Sequence, residues 1–218
     1  MSSGQPIWTR PERGSRGPVP SYSREDIVAT AVAIADADGL AAVSMRAVAA
    51  AVGTGAGSLY RYLASRDDLL DLMIDRVVGE LRPYPDTGGP WLDRMLVLGR
   101  RQLRLFRSHP WLIEIIHRPS GVGPEALYWF DNCLRILQPV HCGAAAKFEA
   151  IAMMTGVVTL FARNEGTASA AGFAGVDRTA HPHLAAALAQ PPAPAPPEDL
   201  FERTLRSVLT GLLPGPAA

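Results

Sequence analysis

Little in this chain is of the kind that staples a small fold together or sends it to a membrane. Among 218 residues there are only two cysteines, Cys133 and Cys142, a count that excludes a disulfide scaffold and suits a reducing compartment. The cytoplasm is the expected location, because the arginines near the N-terminus are followed by no apolar stretch with a small-residue cleavage site. No uncharged apolar run approaches the ~20 residues of a spanning helix. Net charge is absent too, with 21 basic and 21 acidic residues, so no global field draws a polyanion and any nucleic-acid surface must be local. Lysine is nearly missing. Lys147 stands alone beside twenty arginines, a bias of composition that carries little functional weight.

Two further absences concern chemistry and fold. No segment alternates as a strand, and the histidines, His109, His117, His141, His181 and His183, never appear with a carboxylate and a nucleophile at a telling spacing. No cofactor, metal or catalytic residue is therefore expected. What remains is a chain with 48% hydrophobic and 19% charged residues, apolar enough for a buried core, and patterned almost throughout at helical period.

Residues 1 to 20 hold Gly, Pro, Ser and Arg without apolar periodicity and read as a flexible arm. Ser23 then opens a helix, with Asp26 at its third position and Ile27, Ala31, Ile34 and Ala35 on one face as far as Gly39. Ser44 caps a second helix with Met45, Val48, Ala49 and Val52 inward, ended by Gly53. Leu59 and Leu63 form the buried side of a third, of about two turns. Ser65 caps a fourth, with Asp67 and Asp68 in its first turn, where the helix dipole favours them. Its apolar face continues through Leu69, Met73, Val77 and Leu81 until Pro83 and Pro85. Helices are expected over 91 to 106, 110 to 117, 124 to 138, 144 to 163 and 200 to 213, with a small one around Leu184 and a Pro-rich spacer at 190 to 198.

The stretch "SMRAVAAAVGTGAGSLYRYL", residues 44 to 63, carries the functional signal. Two short helices meet at a turn of small residues, Gly53, Gly55, Ala56 and Gly57, with a further helix before them; this is a helix-turn-helix, whose second helix can enter a major groove. With Leu59 and Leu63 inward, Ser58, Tyr60, Arg61 and Tyr62 are left to meet DNA. Arg61 suits a bidentate contact to guanine, and Ser58, Tyr60 and Tyr62 suit phosphates or a thymine methyl. Between Gly39 and Arg66 the charges are Arg46, Arg61 and Arg66 with no acid, and the arm adds Arg10, Arg13 and Arg16 against Glu12, for a flanking minor groove.

Residues 24 to 75 closely resemble the DNA-binding domain of TetR-family transcriptional regulators. The match lies in Ala-Asp-Gly-Leu after the first helix, Ser-Met-Arg-Ala-Val-Ala at the second, Gly-Ser-Leu-Tyr-Arg-Tyr-Leu at the third and Ser-Arg-Asp-Asp-Leu-Leu at the fourth. The resemblance implies an all-α protein, with an N-terminal three-helix helix-turn-helix domain at 21 to 82 and a C-terminal helical ligand-binding and dimerisation domain at 83 to 218. It further implies a repressor that binds a palindromic operator in double-stranded DNA as a homodimer and is released by a small-molecule inducer. The implied DNA contacts are Ser44, Arg46, Thr54, Gly55, Ala56, Gly57, Ser58, Tyr60, Arg61, Tyr62 and Arg66.

The segment "LFRSHPWLIEIIHRPSGVGPEALYWFDNCLRIL" resembles the regulatory domain of the tetracycline-repressor class. Where that class places polar drug-binding side chains, an ungapped alignment puts Leu98, Gln102 and Ile116, so tetracycline itself is not the expected ligand. Trp111, His117, Trp129, Phe130, Cys133, Met153 and Met154 are the candidate lining of an apolar pocket for an apolar or aromatic inducer, and for each of them core packing is the competing role. The dimer seam is expected on the helices at 144 to 163 and 200 to 213. Two other readings stand beside this one: a dimeric DNA-binding regulator with no ligand, and an enzyme or redox-active helical protein using His141 and Cys142.

Overall fold

A computed structural model describes residues 7–9, 22–86, 88–118, 121–163, 177, 179–190 and 199–213. Ten α-helices and no strand occur among them: α1 (Arg24–Asp38), α2 (Met45–Val52), α3 (Ala56–Leu59), α4 (Arg66–Gly79), α5 (Trp91–Ser108), α6 (Leu112–Ile115), α7 (Pro124–Ile136), α8 (Ala144–Arg163), α9 (Pro182–Leu188) and α10 (Leu200–Leu212). The all-α expectation holds.

The helix starts obey local chemistry. Ser23 and Asp26 form a reciprocal capping box at α1, the Ser44 hydroxyl accepts from the Ala47 amide at 3.1 Å, and the Ser65 hydroxyl accepts from the Asp68 amide at 3.1 Å. Asp68 answers by accepting from the Ala64 amide at 2.8 Å. Helix α2 stops because Gly53 turns left-handed, at φ 79°, and the amides of Gly53 and Thr54 reach back to carbonyls of Ala50 and Ala49. Helices α1 to α4 close over Ile27, Ala31, Val48, Leu59, Leu63, Leu69 and Met73, all fully buried.

The C-terminal helices pack as layers. Helix α5 lies against α8 and α10, and α7 lies against α4. Phe161 meets Phe201 edge to face at 5.4 Å, and the Gln102 amide donates to the Thr155 hydroxyl at 3.1 Å. Arg100 on α5 pairs with Glu202 and Asp199 at the start of α10.

A cluster of polar contacts ties α1 and the end of α4 to the segment after α5. Asp36, near the end of α1, accepts on one oxygen from the Trp111 indole at 2.6 Å and lies 2.7 Å from His109 Nδ1, whose other ring nitrogen is 3.3 Å from Glu80. Trp111 and His109 are buried, so Asp36 satisfies polar groups that water does not reach.

Several expectations need correction. Helix α3 holds one α-helical turn, not two; beyond it the chain to Leu63 is carried by turn hydrogen bonds, Tyr62 to Leu59 at 2.8 Å and Leu63 to Leu59 at 3.0 Å. The arm is not wholly without apolar contacts, since Ile7–Thr9 form a turn against α4 with Ile7 buried in the core. Its arginines, the residues at 164 to 176 and the spacer at 191 to 198 lie outside the described residues.

Three variants check this account. Gly53→Ala should cost about 1 kcal/mol through left-handed strain, whereas Gly55→Ala, at φ −83° with open space around it, should leave the melting temperature unchanged; equal losses in a thermal melt would contradict the turn geometry. Asp36→Ala leaves the buried Trp111 and His109 donors unpaired and should cost about 1 to 3 kcal/mol by denaturant titration.

Candidate nucleic-acid interface and effector cavity

The exposed side of the helix-turn-helix is built from α2, its turn and α3. Ser44, Arg46, Gly55, Gly57, Tyr60 and Arg61 are exposed, and Thr54, Ala56 and Ser58 are half-buried beside them. Tyr60 stands out, with 56% of its surface exposed. Its ring is therefore left out of the core that Leu59 and Leu63 join.

Two of the expected contact residues have internal work. Tyr62 is half-buried; its ring packs on Tyr22 at 5.4 Å and its hydroxyl donates to the Tyr22 carbonyl at 3.4 Å. Arg66 is exposed, yet its Nε donates to the Val43 carbonyl at 3.1 Å and an Nη to the Leu40 carbonyl at 3.5 Å. It thereby holds the loop between α1 and α2 against the start of α4.

Tyr22 itself was not anticipated. Its hydroxyl lies 3.1 Å from that of Thr54, and the hydrogen bond with Thr54, with Ser58 and Arg61 nearby, holds the phenol below its usual pKa. The available signal was its place just before the Ser23 cap, where an aromatic fixes how the chain enters a helix.

Between α4 and the C-terminal helices lies a cavity of about 310 Å³, within the size range of small-molecule sites. One wall is α4, through Asp71, Ile74, Asp75 and Val78; the others are α5, the segment after α6, α7 and α8, with Phe106, Ile116, His117, Arg118, Trp129, Phe130 and Thr155. Trp8 also lines it. Of the expected lining, His117, Trp129 and Phe130 are in place, as are Gln102 and Ile116 from the tetracycline-repressor alignment.

Trp111, Cys133, Met153 and Met154 do not line it. Trp111 is turned to Asp36. Cys133 is fully buried in the core, where burial pushes its thiol pKa far up, so it is packing rather than a reactive group. Met153 and Met154 are neighbours on α8 and so point about 100° apart: Met154 is fully buried, Met153 is 47% exposed on the outer face, and Ala152 and Thr155 face the cavity instead. Leu98 is likewise core.

The cavity holds an uneven set of polar atoms. Asp71 Oδ1, Gln102 Oε1 and Arg118 Nη1 are buried and have no hydrogen-bond partner among the described residues. Asp71 and Arg118 approach only to 3.9 Å, while the other Arg118 nitrogen reaches Asp67. Burial raises the Asp71 carboxyl above its ordinary pKa, with Arg118 opposing and Asp67 and Asp68 adding to the shift. Asp75 is raised by burial as well, although it accepts from the amides of Glu125 and Ala126 at 2.9 and 3.3 Å and so caps α7. Gly123 is needed there, since any side chain would strike Asp75.

Buried polar atoms without hydrogen bonds are costly, and three of them sit in the lining of this cavity. A carboxyl whose folded pKa is raised weakens the fold as pH climbs past the ordinary carboxylate range. Asp71→Asn should therefore melt about 2 °C higher than the parent at neutral pH, with the gap closing below about pH 4. A lower melting temperature at pH 7 would contradict this.

Comparison with known proteins agrees with the geometry. Residues 27–73 match "Bacterial regulatory proteins, tetR family", and residues 83–214 match "Tetracyclin repressor-like, C-terminal domain". The HTH-type transcriptional repressor DrrR1 of Streptomyces coeruleorubidus is 39% identical over 160 residues, covering 73% of this chain and 59% of that protein. An HTH-type transcriptional regulator of Saccharopolyspora erythraea is 36% identical over 128 residues, 58% of this chain and 54% of its own. The chain thus spans somewhat over half the length of these two relatives. Among solved structures, apo ActR from Streptomyces coelicolor superposes with a TM-score of 0.71 at 27% identity, covering 89% of this chain and 96% of that one. ActR in complex with actinorhodin gives 0.73 at 28%, covering 89% and 97%. With both of its helical regions matched, the chain belongs to the tetR family of bacterial regulatory proteins.

Proposed function

We propose that this protein is a transcriptional repressor that binds a palindromic operator as a homodimer and is released when a small molecule enters the cavity under α4. The observation that carries the reading is the exposed Tyr60–Arg61 face, followed in the chain by a helix, α4, that walls a cavity holding buried polar atoms without hydrogen bonds. ActR, similar over most of its length, has been crystallised with a small molecule, which supports a ligand here. The buried atoms of Asp71, Gln102 and Arg118 that make no hydrogen bond favour this reading over a regulator without a ligand. The enzyme or redox reading finds less support, because neither His141 nor Cys142 lines the cavity.

The homodimer rests on α8. Phe148, Met153 and Leu160 are each about half exposed on its outer side, with the exposed Gly156 between them. Helix α8 is long and apolar enough in composition to cross a membrane, but its other side is packed on α5 and α10. Pairing the outer face about a twofold axis, with α10 beside it, buries this stripe and sets two α3 helices about one DNA turn, ~34 Å, apart.

Release follows if the ligand prefers a conformation in which that spacing fails. A 100-fold induction needs a preference of about 2.7 kcal/mol for the released form. Helix α4 is the lever, since Ser65 starts it beside α3 and its far half walls the cavity.

The test is a titration at fixed salt of the purified protein on the DNA upstream of its own gene, against a scrambled duplex. Specific binding with two protomers per site is the expected result, and Arg61→Ala should lose about 1 to 3 kcal/mol on the operator with little change on scrambled DNA. Equal losses on both duplexes would remove Arg61 from base reading.

A further inference from the structure

The cavity has one wall that neither matched region supplies. The family matches begin at residue 27, yet Trp8 lines the cavity beside residues of α4 and α7. Its position is anchored. Ile7 is 3% exposed in the common core, Trp8 is half-buried against that core, and the turn Ile7–Thr9 packs on α4.

Setting a tryptophan at the rim of a largely apolar cleft leaves part of a large aromatic surface without a protein neighbour, and such surface gains most from a flat aromatic partner. Trp129 and Phe130 line the same cleft. The polar atoms left over give the complementary chemistry. Gln102 Oε1 accepts no hydrogen bond, and Asp71 Oδ1 accepts none either, its facing cation Arg118 Nη1 standing off at 3.9 Å, so an occupant that satisfies both oxygens brings N–H or O–H groups.

We propose that Trp8 is a specificity-determining residue of the cavity: the N-terminal arm supplies an aromatic wall on which a planar aromatic ligand rests while its N–H or O–H donors bond Asp71 and Gln102. The inference deepens the reading of the cavity as the effector site and rests on it. It moves part of the ligand preference out of the C-terminal region and into a segment preceding the DNA-binding helices. Relatives that share α4 to α8 but carry another residue at this place in the arm then differ in the aromatic ligands they accept.

The probe is 9-aminoacridine, a planar fluorescent molecule with exocyclic N–H donors, titrated into the full-length chain at constant salt and pH. Saturable binding to the parent is expected, weakened at least tenfold by Asp71→Asn and tenfold by Trp8→Ala, while Trp8→Phe stays within about threefold of the parent. Trp8→Leu separates bulk from aromaticity, and it should behave like Trp8→Ala. Thermal melts of each variant show that the fold persists. If Asp71→Asn weakens binding and Trp8→Ala leaves it within twofold, the cavity reading stands and the role of Trp8 is overturned. No saturable binding to the parent would overturn the aromatic-ligand inference and count against the cavity reading as well.

Discussion

Helix α4 is buried from two sides at once, and the rest of the structure depends on that constraint. Leu69, Leu70, Met73 and Val77 close the core shared with α1 to α3, while Asp71, Ile74, Asp75 and Val78 face the cavity. A helix of 14 residues has few faces to spare, so it does not shift toward one partner without disturbing the other. Its start is fixed by reciprocal bonds among Ala64, Ser65 and Asp68, and Arg66 locks that start to the loop after α1.

The polar contacts between the two halves of the chain follow the same line. Asp75 caps α7, Arg118 reaches Asp67 on the first turn of α4, and Glu80 just past its end meets His109. Asp36 adds a second point of attachment on α1, through Trp111 and His109. The cavity wall and the helix-turn-helix are thus joined through the same helix. Burial raises both carboxyls that α4 turns toward the cavity, Asp71 and Asp75, above their ordinary pKa.

Much of this was legible in the residues. Ser23, Ser44 and Ser65 mark helix starts because a hydroxyl before an apolar-periodic run has a definite partner three residues on, and Gly53 marks a stop because only glycine takes the left-handed turn cheaply. The exposed positions of Tyr60 and Arg61 follow from Leu59 and Leu63 facing inward. What periodicity does not show is which buried faces oppose one another. Trp111 was expected at the pocket and instead meets Asp36, 75 residues away; Met153 shares the apolar character of a pocket residue but lies on the outer side of α8. Tyr62 and Arg66 match a contact pattern by type, while their geometry turns them to Tyr22 and to the Val43 and Leu40 carbonyls. Trp8 sat in a stretch with no period at all, so nothing local revealed its place at the cavity.

The most direct test of a shared α4 is amide hydrogen exchange with and without the upstream operator duplex, because coupling between two sites is reciprocal and DNA alone must then be felt at the cavity. A coupled α4 predicts altered protection at α3 that continues along α4 through Asp71, Asp75 and Val78 and reaches the start of α7. Changes that stop at Ser65, with the cavity wall exchanging as in the free protein, would contradict it.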